Sequence, residues 1–223
     1  MNNDIVIISD LHLGSSVCQD DKLLKFLRHV ETKCCKLIIN GDLFDHWNFK
    51  KLSDNHWKIL KTIRKLSSKI EVIWIRGNHD GPSDMISHLI GVEFLDEYRF
   101  TNGNKGIIVI HGDIFDDFLT KYPIITKIAD YIYRLVQKLD PSFYWPRLLK
   151  RGSKTFLRAV QKVKLRAKNY CSTNKQDIII CGHTHMYEVD ESDPVHYYNT
   201  GSWTTEPCSY LLIKDSNITI EHI

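Results

Sequence analysis

Leu37-Ile38-Ile39-Asn40-Gly41-Asp42-Leu43-Phe44-Asp45 is the stretch on which the fold turns, because a short apolar run passes without a break into a polar cluster carrying two carboxylates. The same succession occurs four more times. Ile5-Val6-Ile7-Ile8 leads to Asp10-Leu11-His12, and Val72-Ile73-Trp74-Ile75 leads to Gly77-Asn78-His79-Asp80. Ile107-Ile108-Val109-Ile110 leads to His111-Gly112-Asp113, and Ile178-Ile179-Ile180-Cys181 to Gly182-His183-Thr184-His185. Short runs so rich in isoleucine and valine read as strands buried on both faces. Between the first three lie Leu23, Leu24, Leu27 and Val30, and then Trp57, Leu60, Ile63 and Leu66, all at helical spacing. Strand, helix, strand is the order of an α/β sheet, and ligands bind where the carboxyl ends of such strands converge. Five polar clusters at five strand ends therefore imply one site.

Further along, the pattern changes. Closely spaced apolar segments at His196–Asn199, Tyr210–Ile213 and Ile218–Ile223 predict a meander that closes the fold. The segment 116–174 differs in kind, since Ile124, Ile128, Ile132, Leu135, Val136 and Leu139 follow helical spacing, as do Phe156, Val160, Val163 and Ala167. It reads as a helical insertion between two core strands, broken by Pro141, Pro146 and Gly152. The predicted organisation is thus a core in two parts, 1–115 and 175–223, around a basic helical insertion at 116–174.

Charge is spread unevenly over these parts. From Lys121 to Lys175 there are 14 Lys or Arg against two acids, Asp130 and Asp140, which leaves 16 basic and 25 acidic residues for the remainder. A segment of +12 beside a remainder of −9 is suited to meeting something anionic. Hydrophobic residues at 43% and charged residues at 26% fit an ordinary globular chain of 223 residues, neither disordered nor embedded in a membrane. The six cysteines show no CxxC spacing, so a zinc ribbon or a thioredoxin-like site is not indicated, and reduced, mostly buried thiols are the simplest reading. The N-terminus runs within a few residues into the first apolar strand and lacks the order of a secretory signal, so a cytoplasmic location is the expectation.

Taken one at a time, DxH or GxH clusters carry little information. Five together are different, because burying so many carboxylates and imidazoles without a cation would be very costly. In this order, DxH, GDxxD, GNHD, a later His-Gly and GHxH resemble the signature of the calcineurin-like metallophosphoesterases, over a span from Asp10 to His185. The resemblance implies a layered, metallophosphoesterase-type α/β β-sandwich flanked by helices, with two divalent cations at its site. Carried over by position, Asp10, His12 and His185 would hold the first cation, Asn78, His111 and His183 the second, and Asp42 would bridge them. A carboxylate with two oxygens is well suited to that bridging, across about 3.5–4 Å. Mixed oxygen and imidazole donors without a thiolate favour Mn²⁺, then Fe or Zn²⁺, over an all-oxygen Ca²⁺ site. His79 would stand at the site as a proton donor or positive charge beside the leaving oxygen. Asp80 would either orient its ring or cap the following helix, and Asp45 would support ligands or backbone.

Protein serine/threonine phosphatases of this superfamily carry an Arg soon after GDxxD and a GNHE motif, neither of which is present. GDxFDxW at Gly41–Trp47, with Tyr198-Asn199-Thr200-Gly201-Ser202-Trp203, is similar to the UDP-2,3-diacylglucosamine hydrolases and their relatives. These cleave the pyrophosphate of a lipid-linked nucleotide sugar in lipid A synthesis, and their best-known branch has Arg in the place of His79. The implied activity is two-metal hydrolysis of a phosphodiester or pyrophosphate bond in such a substrate. The alternatives are a nuclease or cyclic-nucleotide phosphodiesterase, and a non-catalytic scaffold. Arg147, Lys150, Arg151 and Lys154 in the insertion are candidate substrate-binding residues, which would also approach an anionic membrane surface.

Overall fold

A computed structural model describes residues 4–81, 84–116 and 154–223 and places the five apolar runs as strands of two sheets. The strands are β1 (Ile5–Ile8), β2 (Lys36–Asn40), β3 (Glu71–Ile75), β4 (Glu93–Leu95), β5 (Glu97–Asn102), β6 (Lys105–Ile110), β7 (Ile178–Cys181), β8 (Glu188–Asp190), β9 (His196–Asn199), β10 (Ser209–Lys214) and β11 (Asn217–His222). The described helices are α1 (Asp20–Lys33), α2 (Asp54–Ser67), α3 (Asp84–Ile90) and α4 (Lys154–Thr173). One sheet has the order β11-β10-β1-β2-β3-β4, with β1 to β4 parallel. The other has the order β5-β6-β7-β9-β8, with β6, β7 and β9 parallel.

Alternation along the strands explains why they read as apolar throughout. Ile7, Ile38 and Ile73 point between the sheets and meet Ile107, Val109, Ile178 and Ile180. Their neighbours Val6, Ile8, Leu37, Ile39, Val72 and Trp74 point the other way, onto α1 and α2 through Leu23, Leu27, Ile59 and Ile63. On the outer face of the second sheet, Ile108 and Ile179 pack against Val163, Ala167 and Cys171 of α4. The result is four layers, helix, sheet, sheet, helix, in which each fully buried aliphatic side chain contributes about 1.5–3 kcal/mol. At the carboxyl ends the sheets are tied together by the Asn40 amide, which donates to Ile110 O at 3.2 Å and Ile180 O at 3.4 Å.

One expectation is corrected here, and one residue takes an unexpected face. The closing strands are not one meander: β9 lies parallel to β7 in the second sheet, while β10 and β11 form an antiparallel hairpin on β1 in the first. The hairpin turns at Asp215 and Ser216, both at positive φ (47° and 70°), which suits a two-residue turn with the right-handed twist of its strands. Trp57 lies at helical spacing with Leu60, yet it is 51% exposed, and Ile59 takes its place on the buried face of α2. At 100° per residue Trp57 stands opposite Ile59 and Leu66, which leaves it on the solvent side of the helix. Of the expected insertion, α4 falls within the described residues. The breaks at Pro141, Pro146 and Gly152 and the basic residues Arg147, Lys150 and Arg151 lie outside them. Lys154 opens α4 as an exposed residue.

Candidate metal centre

Three of the five polar clusters, those after β1, β2 and β7, leave their strands through a backbone turn that side chains rarely adopt. Eight described non-glycine residues have positive φ, and five of them are Asp10 (55°), His12 (50°), Asp42 (53°), His183 (66°) and His185 (58°). Left-handed backbone costs an L-residue on the order of 1–3 kcal/mol and collects at functional sites, because it turns a side chain inward where a strand would carry it past. The adjoining glycines make room. Gly41 has φ +83° and lies against the His111 ring so closely that a Cβ would overlap it, and a Cβ on Gly182 would run into Ser9 and Asp10.

The side chains so turned converge. His185 Nε2 lies 3.0 Å from Asp10 Oδ1 and 3.2 Å from His12 Nε2, while His12 Nε2 lies 3.6 Å from Asp42 Oδ2. His111 Nε2 stands 3.4 Å from Asp42 Oδ2 on the other side, with His183 edge-on to its ring at 5.4 Å. His183 Nδ1 in turn lies 3.1 Å from Asn78 Oδ1. Three overlapping groups have donor atoms within 4.8 Å of one another: Asp10, His12 and His185; Asp10, Asp42 and His111; and His12, Asp42 and His79. All seven residues assigned to cations by resemblance therefore meet at one place, and His79 joins them.

The donor set fits divalent cations. Ligands about 2.0–2.2 Å from one ion, at tetrahedral or octahedral angles, stand about 3.0–3.5 Å apart, which is the spacing of the closest pairs here. Asp10 Oδ1 and His111 Nε2 are buried, and the polar atoms they face are His185 Nε2 at 3.0 Å and Asp42 Oδ2 at 3.4 Å. Burial pushes the carboxyls of Asp10 and Asp42 up, but His185 beside the first and His111 beside the second outweigh it and hold both below the usual carboxylate range. Burial likewise depresses His12 and His111, and Asp45 beside His12 and Asp42 beside His111 reverse that. Ionised, buried oxygens facing imidazole nitrogens are the chemistry of a cation site.

A surrounding layer holds these groups in place. Ser9 Oγ donates to Asp10 Oδ2 and lies 2.6 Å from Thr200 Oγ1, and His183 N donates to the same Asp10 oxygen at 3.0 Å. Asn199 Nδ2 donates to Gly182 O at 2.6 Å, Trp203 N donates to Asp10 O at 3.1 Å, and Thr204 Oγ1 lies 3.3 Å from His185 Nδ1. The Asn199–Thr204 stretch thus braces the loops that carry Asp10 and His183–His185. Asp45 Oδ1 lies 3.3 Å from His12 Nδ1. Asp116, the first residue of the expected insertion, lies with Oδ2 3.1 Å from His183 Nε2. A pairing across 67 residues leaves no local signal in the sequence.

Asp80 and His79 divide their work in a way that spacing could not show. The Asp80 carboxylate accepts from Asp42 N at 2.8 Å, Gly77 N at 3.0 Å, Trp74 Nε1 at 3.1 Å and Phe44 N at 3.2 Å. It pins the Asp42 loop to the Asn78 loop, and burial together with the Asp42 charge pushes it up to about 7 despite the backbone donors. The helix that follows starts only at Asp84. The His79 ring is held by a different group: its Nδ1 lies 2.8 Å from the carbonyl oxygen of Asp45, and its backbone N–H donates to Asp42 Oδ1 at 2.9 Å.

Comparison with known proteins shows the family. The family model described as calcineurin-like phosphoesterase matches residues 4–187. A UDP-2,3-diacylglucosamine hydrolase from Blochmanniella pennsylvanica is 30% identical over 206 residues, covering 82% of this chain and 79% of that protein. Among solved structures, an archaeal phosphodiesterase superposes with a TM-score of 0.52 at 12% identity, over 99% of both chains. Vps29 of Chaetomium thermophilum gives 0.51 at 14% identity, over 99% of this chain and 96% of that one. At such identities the likeness to solved structures concerns the fold.

Proposed function

We infer the activity from one premise: the chain belongs to the calcineurin-like phosphoesterase family and is a metal-dependent phosphoester hydrolase. We propose that its substrate is a lipid-linked nucleotide sugar of the UDP-2,3-diacylglucosamine type, cleaved at the pyrophosphate. The observation that carries this reading is the 30% identity to a hydrolase of that name over most of both chains. Asp10, His12 and His185 would hold one divalent cation and Asn78, His111 and His183 the other, with Asp42 between them; Mn²⁺ is proposed first, then Fe or Zn²⁺. Bound there, the pair supplies Lewis acidity and lowers the pKa of water at neutral pH.

The chain's own residues supply the rest. His79, fixed through Nδ1 on the Asp45 carbonyl, keeps Nε2 for the proton of the leaving oxygen. Asp80 keeps the Asp42 and Asn78 loops in register, and Asp45 and Asp116 set the rings of His12 and His183 through their outward nitrogens. The segment 116–174 is proposed to cover the acyl portion of the substrate, with Arg147, Lys150, Arg151 and Lys154 meeting its phosphates and an anionic membrane surface at the cytoplasmic side. Among the described residues no helix is long and apolar enough to cross a membrane, so access to a lipid substrate would be from the surface. A panel with Mn²⁺ tests the proposal, comparing UDP-2,3-diacylglucosamine, bis(p-nitrophenyl) phosphate and single-stranded DNA. Preferred release of UMP and the acylated sugar phosphate supports it; preference for DNA overturns it.

A further inference from the structure

Outside the metal centre, the strongest feature is the face formed by α2 and α3. Although the chain apart from 121–175 is net acidic, residues 50–69 hold seven basic side chains and one acid, Asp54. Lys61, Arg64 and Lys65 project from the side of α2 opposite its buried residues. With His88 of α3 and with Ser67 and Ser68 at the end of α2 they line a groove of about 600 Å³, in whose wall no carboxylate stands among the described residues. Glu31 pairs with Lys65 and Lys69, whereas Lys61 has no ion pair among the described residues. A groove walled by lysine, arginine, histidine and serine side chains fits a phosphate-bearing headgroup.

Apolar side chains flank the same groove. Trp57 is 51% exposed, Met85 73% and Leu89 64%, and these are among the largest hydrophobic groups left open to solvent. Trp57 precedes Lys61 by one turn of α2, and Met85 precedes Leu89 by one turn of α3. Arg64 donates to Leu89 O, which ties the two helices at the groove. A large indole and two flexible aliphatic chains amid lysine and arginine form the composition of an interfacial surface, with cations at the headgroups and apolar groups at the acyl boundary. An acidic protein partner would complement the lysines but leave Met85 and Leu89 in water, whereas a bilayer satisfies both sets.

We propose that the α2–α3 face docks the protein on an anionic lipid bilayer, with lipid phosphates in the groove and Trp57, Met85 and Leu89 at the acyl boundary. This docking is separate from the basic segment 116–174 and does not depend on which phosphoester the metal centre cleaves. Sedimentation with vesicles of phosphatidylcholine containing phosphatidylglycerol, against phosphatidylcholine alone, tests it. The wild-type protein should bind only the anionic vesicles and release them as salt is raised, since screening shortens the field. Lys61→Glu combined with Lys58→Glu, an exposed lysine three residues earlier in α2, should weaken binding at least about tenfold, as each basic group near such a surface is worth about fivefold. Met85→Ser/Leu89→Ser should weaken it comparably and leave less salt-resistant binding. All four positions lie on the surface, and Arg64 and Lys65 keep their partners, so hydrolysis of bis(p-nitrophenyl) phosphate should be unchanged, which confirms folding and separates this result from a failure of the substrate reading. Absence of wild-type binding to anionic vesicles overturns the proposal, as does undiminished binding by both variants. It is also overturned if sedimentation velocity shows that the variants abolish self-association, in which case the face joins two copies of the chain.

Discussion

Of the seven residues that converge at the strand ends, the first sheet supplies Asp10, His12, Asp42 and Asn78, while the second supplies only imidazoles, His111, His183 and His185. Both carboxylates come from one side of the seam, and each faces a histidine from the other, Asp10 with His185 and Asp42 with His111. The difference teaches that neither sheet can complete the centre alone. The first, left to itself, would bury two repelling carboxylates; the second would present imidazoles with nothing to orient them. Docking of the sheets and assembly of the centre are one event, which Asn40 completes by reaching from β2 to the carbonyls of β6 and β7.

That asymmetry can be broken most severely at Asp42, the carboxylate proposed to serve both cations. Asp42→Asn keeps the size of the side chain and tolerates its left-handed backbone, yet removes the charge. Hydrolysis of bis(p-nitrophenyl) phosphate should fall below detection, with elemental analysis showing less than the full metal content; chelation of the wild type should do the same, and Mn²⁺ should restore it. Full activity in metal-free protein would contradict the two-metal reading. The next largest effect is expected at His79, which stands by the first sheet's carboxylates but is proposed to face the leaving group. His79→Ala should keep its metal and lose on the order of 10²–10⁴-fold in rate, less with a good leaving group such as p-nitrophenolate. A uniform loss with all leaving groups would place His79 among the ligands.

Asp80 sharpens the comparison from the structural side, because its four donors all belong to the first sheet, three backbone N–H groups of its loops and the indole of Trp74 in β3. In Asp80→Asn one carboxylate oxygen becomes an NH₂ group that cannot accept, and the variant should lose about 1–3 kcal/mol of stability, read as a lowered Tm and denaturant midpoint. Unchanged stability would mean that the loops are held by other contacts. The smallest effect is expected at Asp116, which supports a second-sheet histidine. Asp116→Asn should weaken the second cation about 10–100-fold, measured by competition with a chelator, while the first cation stays bound. Equal weakening of both would show that Asp116 acts on the fold as a whole.

Much of this was legible in the sequence, for a physical reason. Strands buried on both faces force apolar runs, and a site at their carboxyl ends forces the polar cluster that follows, so the positions of Asp10, Asp42, Asn78, His111 and His183 could be read from the boundary alone. What could not be read are contacts between distant segments. Asp116 beside His183, Ser9 beside Thr200 and the Asp45 carbonyl beside His79 depend on how two sheets are stacked, and no local period encodes that. Trp57 shows another limit: its helical spacing marks α2, while the face it takes, the solvent side, is set by helix geometry. The closing strands failed because close spacing along the chain does not say which sheet each strand joins.

The left-handed backbone at five of the seven converging residues has a consequence for mapping this protein by substitution. At Asp10, His12, Asp42, His183 and His185 the side chain and the peptide geometry each restrict the choice of residue. Alanine at such a place removes a donor atom and also imposes a conformation that alanine resists, so a conventional scan adds two losses and reports one number. Asparagine and glycine adopt that geometry more readily. A library built on those two residues would separate the chemistry of each position from its shape, and the gap between its scores and those of alanine would measure how much of each position's intolerance belongs to the backbone.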